Sequence, residues 1–145
     1  IVEVVKNFES SIRKDKQVNF LYNNSKECYV YADKQRIAQV ISNLLDNSIK
    51  FIFNKRGGLI SITVEQKKED GIDVIIVCIK DNGEGIHPEI FPRLFTKFAT
   101  KSFYGTGLGL YICKNIIKMH SGRIWAQNNK DSNGASFLFS IPLNK

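Results

Sequence analysis

The sequence predicts an α+β domain built as a two-layer sandwich, in which a mixed, mostly antiparallel sheet of about five to six strands is covered on one face by about three helices. Three segments carry apolar residues at helical spacing, and the runs between them alternate or are continuously apolar, as strands are. Clusters of glycine, asparagine and aspartate separate these runs and are typical of turns.

Length and composition fit one globular domain over residues 1–145. The chain is 43% hydrophobic and 24% charged, and a chain of this length can bury a core of its own. It holds no apolar run near the roughly 20 residues that span a bilayer. Because it begins with isoleucine and shows no signal peptide, we expect a cytoplasmic piece of a longer protein. We expect no membrane contact in this piece, although its parent could be membrane-anchored.

The charge and the cysteines narrow the class of ligand. A net charge of +7 favours anionic partners, but the basic residues are scattered and lack the aromatic interleaving of single-strand binders. We therefore expect nucleotide phosphate rather than nucleic acid. The three cysteines lie far apart in a chain with two histidines, which argues against a zinc site and fits a reducing compartment.

The first third of the chain predicts a helix, a small hairpin and a longer helix. Residues 1–15 carry apolar side chains at helical spacing. Residues 18–22 and 28–32 predict two short strands that pair with each other across a turn. Asp33 stands where an N-cap belongs. The long helix that follows has an apolar face made of Ile37, Val40, Ile41, Leu44, Leu45, Ile49 and Ile52.

The rest of the chain predicts four more strands and one more long helix. The apolar side of that helix consists of two adjacent rows: Leu108, Ile112, Ile116 and Met119, and beside them Leu110, Cys113 and Ile117. In chain order we predict a strand at 59–65, a charged turn at 67–71, a strand at 72–79, a short helix at 87–94, a mobile loop at 96–104, the helix at 108–119, and strands at 123–129 and 135–141.

A polar stripe runs beside the apolar face of the first long helix. Asn43, Asn47 and Lys50 follow the i, i+4, i+7 spacing and share one side of the helix. Asparagine is a poor helix former, because its amide competes for backbone groups. Two asparagines one turn apart have two interpretations. Their amides could be exposed to solvent or hydrogen-bonded within the core. Alternatively, they could form a polar surface that faces a ligand, with amide oxygens available to a metal ion or its waters.

Two glycine motifs follow downstream. Asp81-Asn82-Gly83-Glu84-Gly85-Ile86 comes directly after an apolar strand, and Gly105-Thr106-Gly107-Leu108-Gly109-Leu110 opens a helix. Glycine permits positive φ and a close approach of the backbone to a ligand, and a helix N-terminus attracts anions. Together the motifs predict a nucleotide site with the base near Asp81 and the phosphates near residues 105–110.

The ordered motifs resemble those of the catalytic, ATP-binding domain of sensor histidine kinases. Residues 43–51 are similar to its N box, residues 81–86 to its G1 box, residues 94–98 to its F box and residues 105–110 to its G2 box. The resemblance extends over essentially the whole chain, including residues 134–137. It implies the Bergerat ATP-binding fold, shared with type II topoisomerase, heat-shock chaperone and mismatch-repair ATPases.

The resemblance also implies a role for each site residue. Asp81 would accept a hydrogen bond from the exocyclic amine of adenine, and Ser136 would support the base through a water. Asn47, with help from Asn43, would hold Mg²⁺. The implied catalytic residues are Asn43, Asn47 and Lys50. The implied ATP-binding residues are Asn43, Asn47, Lys50, Asp81, Gly83, Gly85, Ile86, Phe95, Lys97, Phe98, Lys101, Gly105, Thr106, Gly107, Leu108, Gly109, Leu110 and Ser136.

Residues 96–104 would form the lid over the nucleotide. Phe95 and Phe98 would anchor that lid through apolar contacts, and Lys97 or Lys101 would reach the γ-phosphate. Lys50 would lie near the phosphates.

One departure from the ATPase relatives bears on the reaction. They carry a glutamate four residues before the metal-binding asparagine, where this chain has Asn43, and an amide cannot act as a general base. The resemblance therefore implies phosphoryl transfer to a histidine on a separate dimerisation domain, absent from this chain, and relay to a response regulator receiver domain. His87 and His120 are expected to be structural. An anti-sigma-type serine kinase and a non-catalytic ATP-sensing module remain alternatives.

Overall fold

The computed structural model describes residues 6–7, 10, 18–24, 29–52, 57–99, 107–130 and 132–143. Its elements in chain order are strand β1 (Val18–Asn24), helix α1 (Lys34–Phe51), strands β2 (Gly58–Glu69) and β3 (Ile72–Asp81), helix α2 (Gly109–Met119), and strands β4 (Arg123–Asn128) and β5 (Ala135–Pro142).

The five strands form one sheet in the order β1-β2-β3-β5-β4. β1 runs parallel to β2, and every other neighbouring pair is antiparallel. The predicted α+β class, with a mixed and mostly antiparallel sheet, is therefore confirmed. The described residues contain two long helices; most of the predicted helix at 1–15 lies outside them, although Lys6, Asn7 and Ser10 are helical.

The core lies between one face of the sheet and the two helices. Asp33 caps α1, because its carboxylate accepts hydrogen bonds from the backbone N–H groups of Gln35 and Arg36 at 3.0 and 3.1 Å. Every residue of the predicted apolar face of α1 is buried. These side chains pack against inward-facing residues of β2, β3 and β5, which alternate along each strand.

The predicted hairpin between residues 18–22 and 28–32 is wrong. β1 instead pairs with β2, and residues 29–32, the described part of the second predicted strand, form no strand. Val30 and Ala32 pack against the core, whereas Tyr29 and Tyr31 are 84% and 89% exposed. Alternation therefore reported which side chains are buried, but it carries no information about the pairing partner.

The hairpin of β2 and β3 is longer than predicted. Both strands continue to a two-residue turn at Asp70 and Gly71, with φ of 47° and 81°. Two positive φ values in succession are the mark of a type I′ turn, which Asp-Gly favours. The charged residues 67–69 thus belong to β2. The predicted helix at 87–94 is reduced to turns and a 3-10 helix at Phe91–Arg93.

The buried side of α2 lies within the predicted apolar side. Cys113 and Ile117 are fully buried and Ile116 nearly so, whereas Met119 is 85% exposed. Leu110 and Ile112 also pack against the core, so the predicted apolar side is confirmed except at Met119, which does not belong to the core. Among the described residues, no helix combines the length and the hydropathy of a membrane span.

Candidate functional site

Helix α1 brings the predicted motifs together. The Asn43 amide nitrogen lies 3.5 Å from the carbonyl oxygen of Gly109, at the start of α2. Near the other end of α1, the carbonyl oxygen of Phe51 accepts a hydrogen bond from the backbone N–H of Glu84 at 3.4 Å. The polar stripe of α1 therefore starts beside the second glycine motif and ends one residue before a contact with the first.

The two stripe asparagines have oriented amides. Asn47 donates from its amide nitrogen to the backbone oxygen of Asn43 at 3.1 Å, and both side chains are half-buried. With the nitrogens engaged by backbone oxygens, the amide oxygens are the atoms that each side chain can offer to a cation. Lys50 is exposed on the last turn of α1. Partial burial raises the pKa of the Asp46 carboxyl, and the charge of Lys50 opposes that shift.

Asp81 is a buried carboxylate with a fixed orientation. Asp81 is only 1% exposed. One carboxylate oxygen, Oδ1, accepts hydrogen bonds from the backbone N–H groups of Gly83 at 2.9 Å and Ala135 at 3.2 Å. Backbone donors cannot change rotamer, so this geometry holds the carboxylate in one place at the end of β3.

The glycines of the first motif stand where side chains would not fit. A Cβ at Gly83 would lie 2.5 Å from the carbonyl oxygen of Phe51, and Gly85 has a φ of 86° with a Cβ position 2.9 Å from Asn128 Oδ1. Ile86, which follows, is 3% exposed and belongs to the core cluster. The loop that follows Asp81 is therefore packed tightly between α1 and the end of β4.

The second glycine motif is described from Gly107 onward; Lys101, Gly105 and Thr106 lie outside the described residues. Gly107 has a φ of 67°, and α2 begins at Gly109 after Leu108, whose side chain makes no capping hydrogen bond. A leucine cannot cap the first N–H groups of a helix, which suits an end that receives an anion. Leu110 is half-buried against the core.

The two phenylalanines of the F box lie in different environments. Phe95 packs against the core as predicted. The Phe98 side chain is 70% exposed, so the prediction that it forms an apolar anchor is wrong. Its backbone has a φ of 59° and donates a hydrogen bond to the carbonyl oxygen of Gly107 at 2.9 Å, so the attachment is made by the main chain. Lys97 Nζ lies 5.2 Å from the centre of the Tyr111 ring.

Ser136 does not lie where the resemblance placed it. Its neighbours Ala135 and Phe137 belong to the core, and successive strand residues point to opposite faces of a sheet. Ser136 is therefore on the face away from the helices, where its hydroxyl donates to Asn129 Oδ1 at 2.7 Å. This position contradicts its predicted contact with the base through a water.

Three asparagines that the sequence reasoning left without a role hold the loop after Asp81. Asn82 Oδ1 accepts from the backbone N–H of Leu59 at 2.9 Å. Asn128 and Asn129, at the end of β4, reach back to the same loop. The sequence places Asn128 and Asn129 at the end of the strand predicted at 123–129, and no local pattern there indicates a contact with a loop about forty residues earlier.

Comparison with known proteins agrees with this geometry. Residues 32–145 match the family model described as histidine kinase-, DNA gyrase B-, and HSP90-like ATPase. The sensor protein KdpD of Clostridium acetobutylicum is 45% identical over 119 residues, which are 78% of this chain and 12% of KdpD. This chain thus spans a small part of that relative's length.

Solved structures show the same likeness over nearly the whole chain. The catalytic domain of the histidine kinase ThkA is 37% identical, with a TM-score of 0.81 that covers 97% of this chain and 88% of that one. A structure of ThkA in complex with the response regulator protein TrrA gives 35% identity and a TM-score of 0.76, covering 98% of this chain and 39% of that one. This chain belongs to the family of histidine kinase-, DNA gyrase B- and HSP90-like ATPases, and within it to the catalytic domains of histidine kinases.

Proposed function

We propose that residues 1–145 form the Mg·ATP-binding catalytic domain of a sensor histidine kinase. The domain would transfer the γ-phosphate of ATP to a histidine on a separate dimerisation domain of the same parent protein, for relay to a response regulator. The observation that carries the proposal is the placement of Asp81: a carboxylate fixed by two backbone N–H groups stands at the end of β3. The loop that follows it contacts α1, whose polar stripe touches the start of α2.

Asp81 is the proposed reader of adenine. An ionised carboxylate only accepts hydrogen bonds, and its two oxygens can accept several. The exocyclic amine of adenine would donate to it, whereas guanine presents a carbonyl oxygen at that position and would repel it. Inside a site that excludes water, such a mismatch is worth about 2–4 kcal/mol. Gly83 and Gly85, where no side chain would fit, would bring none near the base.

The other end of the site would hold the phosphates and the metal ion. Gly107, Leu108 and Gly109 precede or open α2, whose first N–H groups suit anionic oxygens. Magnesium prefers oxygen ligands and keeps several waters, so the amide oxygen of Asn47, assisted by Asn43, fits it. When bound, the ion would neutralise phosphate charge, and Lys50 would add a positive charge nearby.

The chain offers no general base in the place where the ATPase relatives have one. Asn43 occupies that place, and its amide is engaged with Gly109. His120 is bound through both ring nitrogens, and His87 is exposed beside Glu89. These observations support transfer to a histidine outside the chain, with positioning and charge neutralisation as the main contributions of this domain. The named relatives are sensor or histidine kinases, which favours histidine over serine as the acceptor.

Calorimetric titration with ATP, ADP and GTP, with and without Mg²⁺, tests the nucleotide site. The Asp81→Asn variant keeps an oxygen for the N–H groups of Gly83 and Ala135 but turns an amide toward the base. We expect it to lose affinity for ATP by about 30- to 1000-fold. Asp73→Asn, at the opposite end of β3, removes the same charge and serves as the matched control. A folded Asp81→Asn protein that binds ATP as tightly as wild type would refute the adenine assignment.

Transfer to the parent protein tests the reaction. Incubation of the full-length parent with radiolabelled ATP should give a phosphoprotein whose label is stable in base and labile in acid, as a phosphohistidine is. An acid-stable label would favour the serine-kinase alternative. ATP binding without any label would favour an ATP-sensing module.

A further inference from the structure

The end of β4 reaches the loop after Asp81 through two consecutive side chains. Asn128 pairs with both backbone groups of one residue: its Oδ1 accepts from the N–H of Ile86 at 2.7 Å, and its Nδ2 donates to the carbonyl oxygen of Ile86 at 3.0 Å. This is the pairing that a neighbouring strand would provide, supplied here by a single amide to a loop that belongs to no strand.

Asn129 holds the other end of the same loop. Its Nδ2 donates to the backbone oxygen of Asp81 at 2.9 Å, and also to that of Asn133 at 3.0 Å. Its Oδ1 accepts from the hydroxyl of Ser136 at 2.7 Å, which orients the amide. Gly134 completes the contact, because a Cβ at this position would collide with the carbonyl oxygen of Asp81.

Resting on the proposed function, we infer that Asn128 and Asn129 are positioning residues for adenine recognition, which set the conformation of the Asp81–Ile86 loop by bonding to its first and last residues. Neither side chain needs to touch the nucleotide. Asn129 fixes the backbone of the residue that carries the reading carboxylate, and Asn128 fixes the point at which the loop enters the core.

Without Asn128 the loop would keep the hydrogen bonds of Asn82, Gly83 and Glu84 near its start, but it would lose the two that hold Ile86 at its end. Gly83 and Gly85 have no side chains that could restrict the loop. Gly85 has a φ of 86°, which is one of many backbone conformations that an unrestrained glycine samples. A loop free to sample such conformations would have to become ordered when adenine binds, and that entropy opposes binding. Loss of the Asn128 amide would remove the hydrogen bonds to the N–H and the carbonyl oxygen of Ile86. Because Ile86 is 3% exposed, water could not easily replace them.

Nucleotide binding to an Asn128→Ala variant tests the inference. Two hydrogen bonds of ordinary strength are worth about a 30-fold change in affinity, so Kd for ATP should rise about 30-fold. Kd for ADP and for adenosine should rise by the same factor, because the loop would contact the base and not the phosphates. Gln127→Ala, on the opposite face of the same strand and exposed, should leave all three values unchanged. Asn128→Gln retains the amide and should recover part of the loss.

Two readouts separate positioning from general stability. The exchange rate of the Ile86 amide hydrogen should increase in Asn128→Ala, and binding should be measured well below the unfolding temperature of the variant. A variant that unfolds at lower temperature but binds ATP, ADP and adenosine like wild type would overturn the inference and leave Asn128 a stabilising residue only. A loss confined to ATP would also overturn it. If wild type itself fails to bind ATP, or Asp81→Asn binds normally, the proposed function has failed instead.

Discussion

Removal of one buried hydroxyl should make this domain more stable. Ser48 lies on α1 with a relative exposure of 0%, and its Oγ has no hydrogen-bond partner among the residues that the structure describes. A buried hydroxyl without a partner costs about 1–3 kcal/mol relative to its hydrated state. Alanine is also the better helix former, by roughly 0.5 kcal/mol. The Ser48→Ala substitution should therefore raise the free energy of unfolding by about 1–3 kcal/mol.

The same substitution at a second buried serine should have the opposite sign. Ser136 is 4% exposed, but its hydroxyl donates to Asn129 Oδ1 at 2.7 Å. Ser136→Ala leaves that acceptor without this donor and should lower the free energy of unfolding by about 1–3 kcal/mol. Each variant removes one oxygen atom from a buried site, so the change in volume is matched, and the difference between the two reports hydrogen bonding together with the helix propensity gained at Ser48.

Urea and thermal unfolding of the nucleotide-free proteins, followed by circular dichroism, provide the measurement. For a domain of this size each kcal/mol corresponds to a Tm change of roughly 3 °C, so the two variants should move in opposite directions from wild type. If Ser48→Ala proves as destabilising as Ser136→Ala, the Ser48 hydroxyl has a partner that stabilises the fold, and the argument from its burial is wrong.

Three further predictions follow from buried or constrained groups. Burial raises the pKa of the Cys113 thiol from 9.0 to about 11, so the thiol loses its proton at a lower pH in the unfolded chain than in the folded protein. The free energy of unfolding should therefore fall as the pH rises from 9.0 to about 11, by up to about 1.4 kcal/mol per pH unit. Cys113→Ala should lack this part of the pH dependence in urea titrations. Gly83→Ala should destabilise more than Gly71→Ala in the same titrations, because only the first places a Cβ 2.5 Å from a carbonyl oxygen; equal effects would contradict the packing argument. ¹⁵N NMR should find the ring hydrogen of His120 on Nδ1, because Nε2 accepts from the N–H of Asp33 at 3.1 Å and Nδ1 lies 2.8 Å from the carbonyl oxygen of Ile116; a tautomer with its hydrogen on Nε2 would refute this.

Local spacing was sufficient to predict much of the fold and the site. The period of the apolar residues in α1 identified its buried face except for Ser48, and Asp33 was identified as its cap. Asp81 was predicted at the end of a buried strand, where it lies. These features depend on residues within one or two turns of each other, where backbone geometry alone decides which side chains share a face.

Tertiary structure decided the features that join distant segments. Whether residues 18–24 pair with a neighbour or with β2 depends on which edge of the sheet is open, and the strand pattern is the same in both cases. The face on which Ser136 lies depends on the register of β5. The roles of Asn128 and Asn129 depend on the path of the loop after Asp81, which passes the end of β4. An asparagine amide can donate and accept in almost any turn, so its partner is set by which backbone groups the completed fold brings within about 3 Å of it.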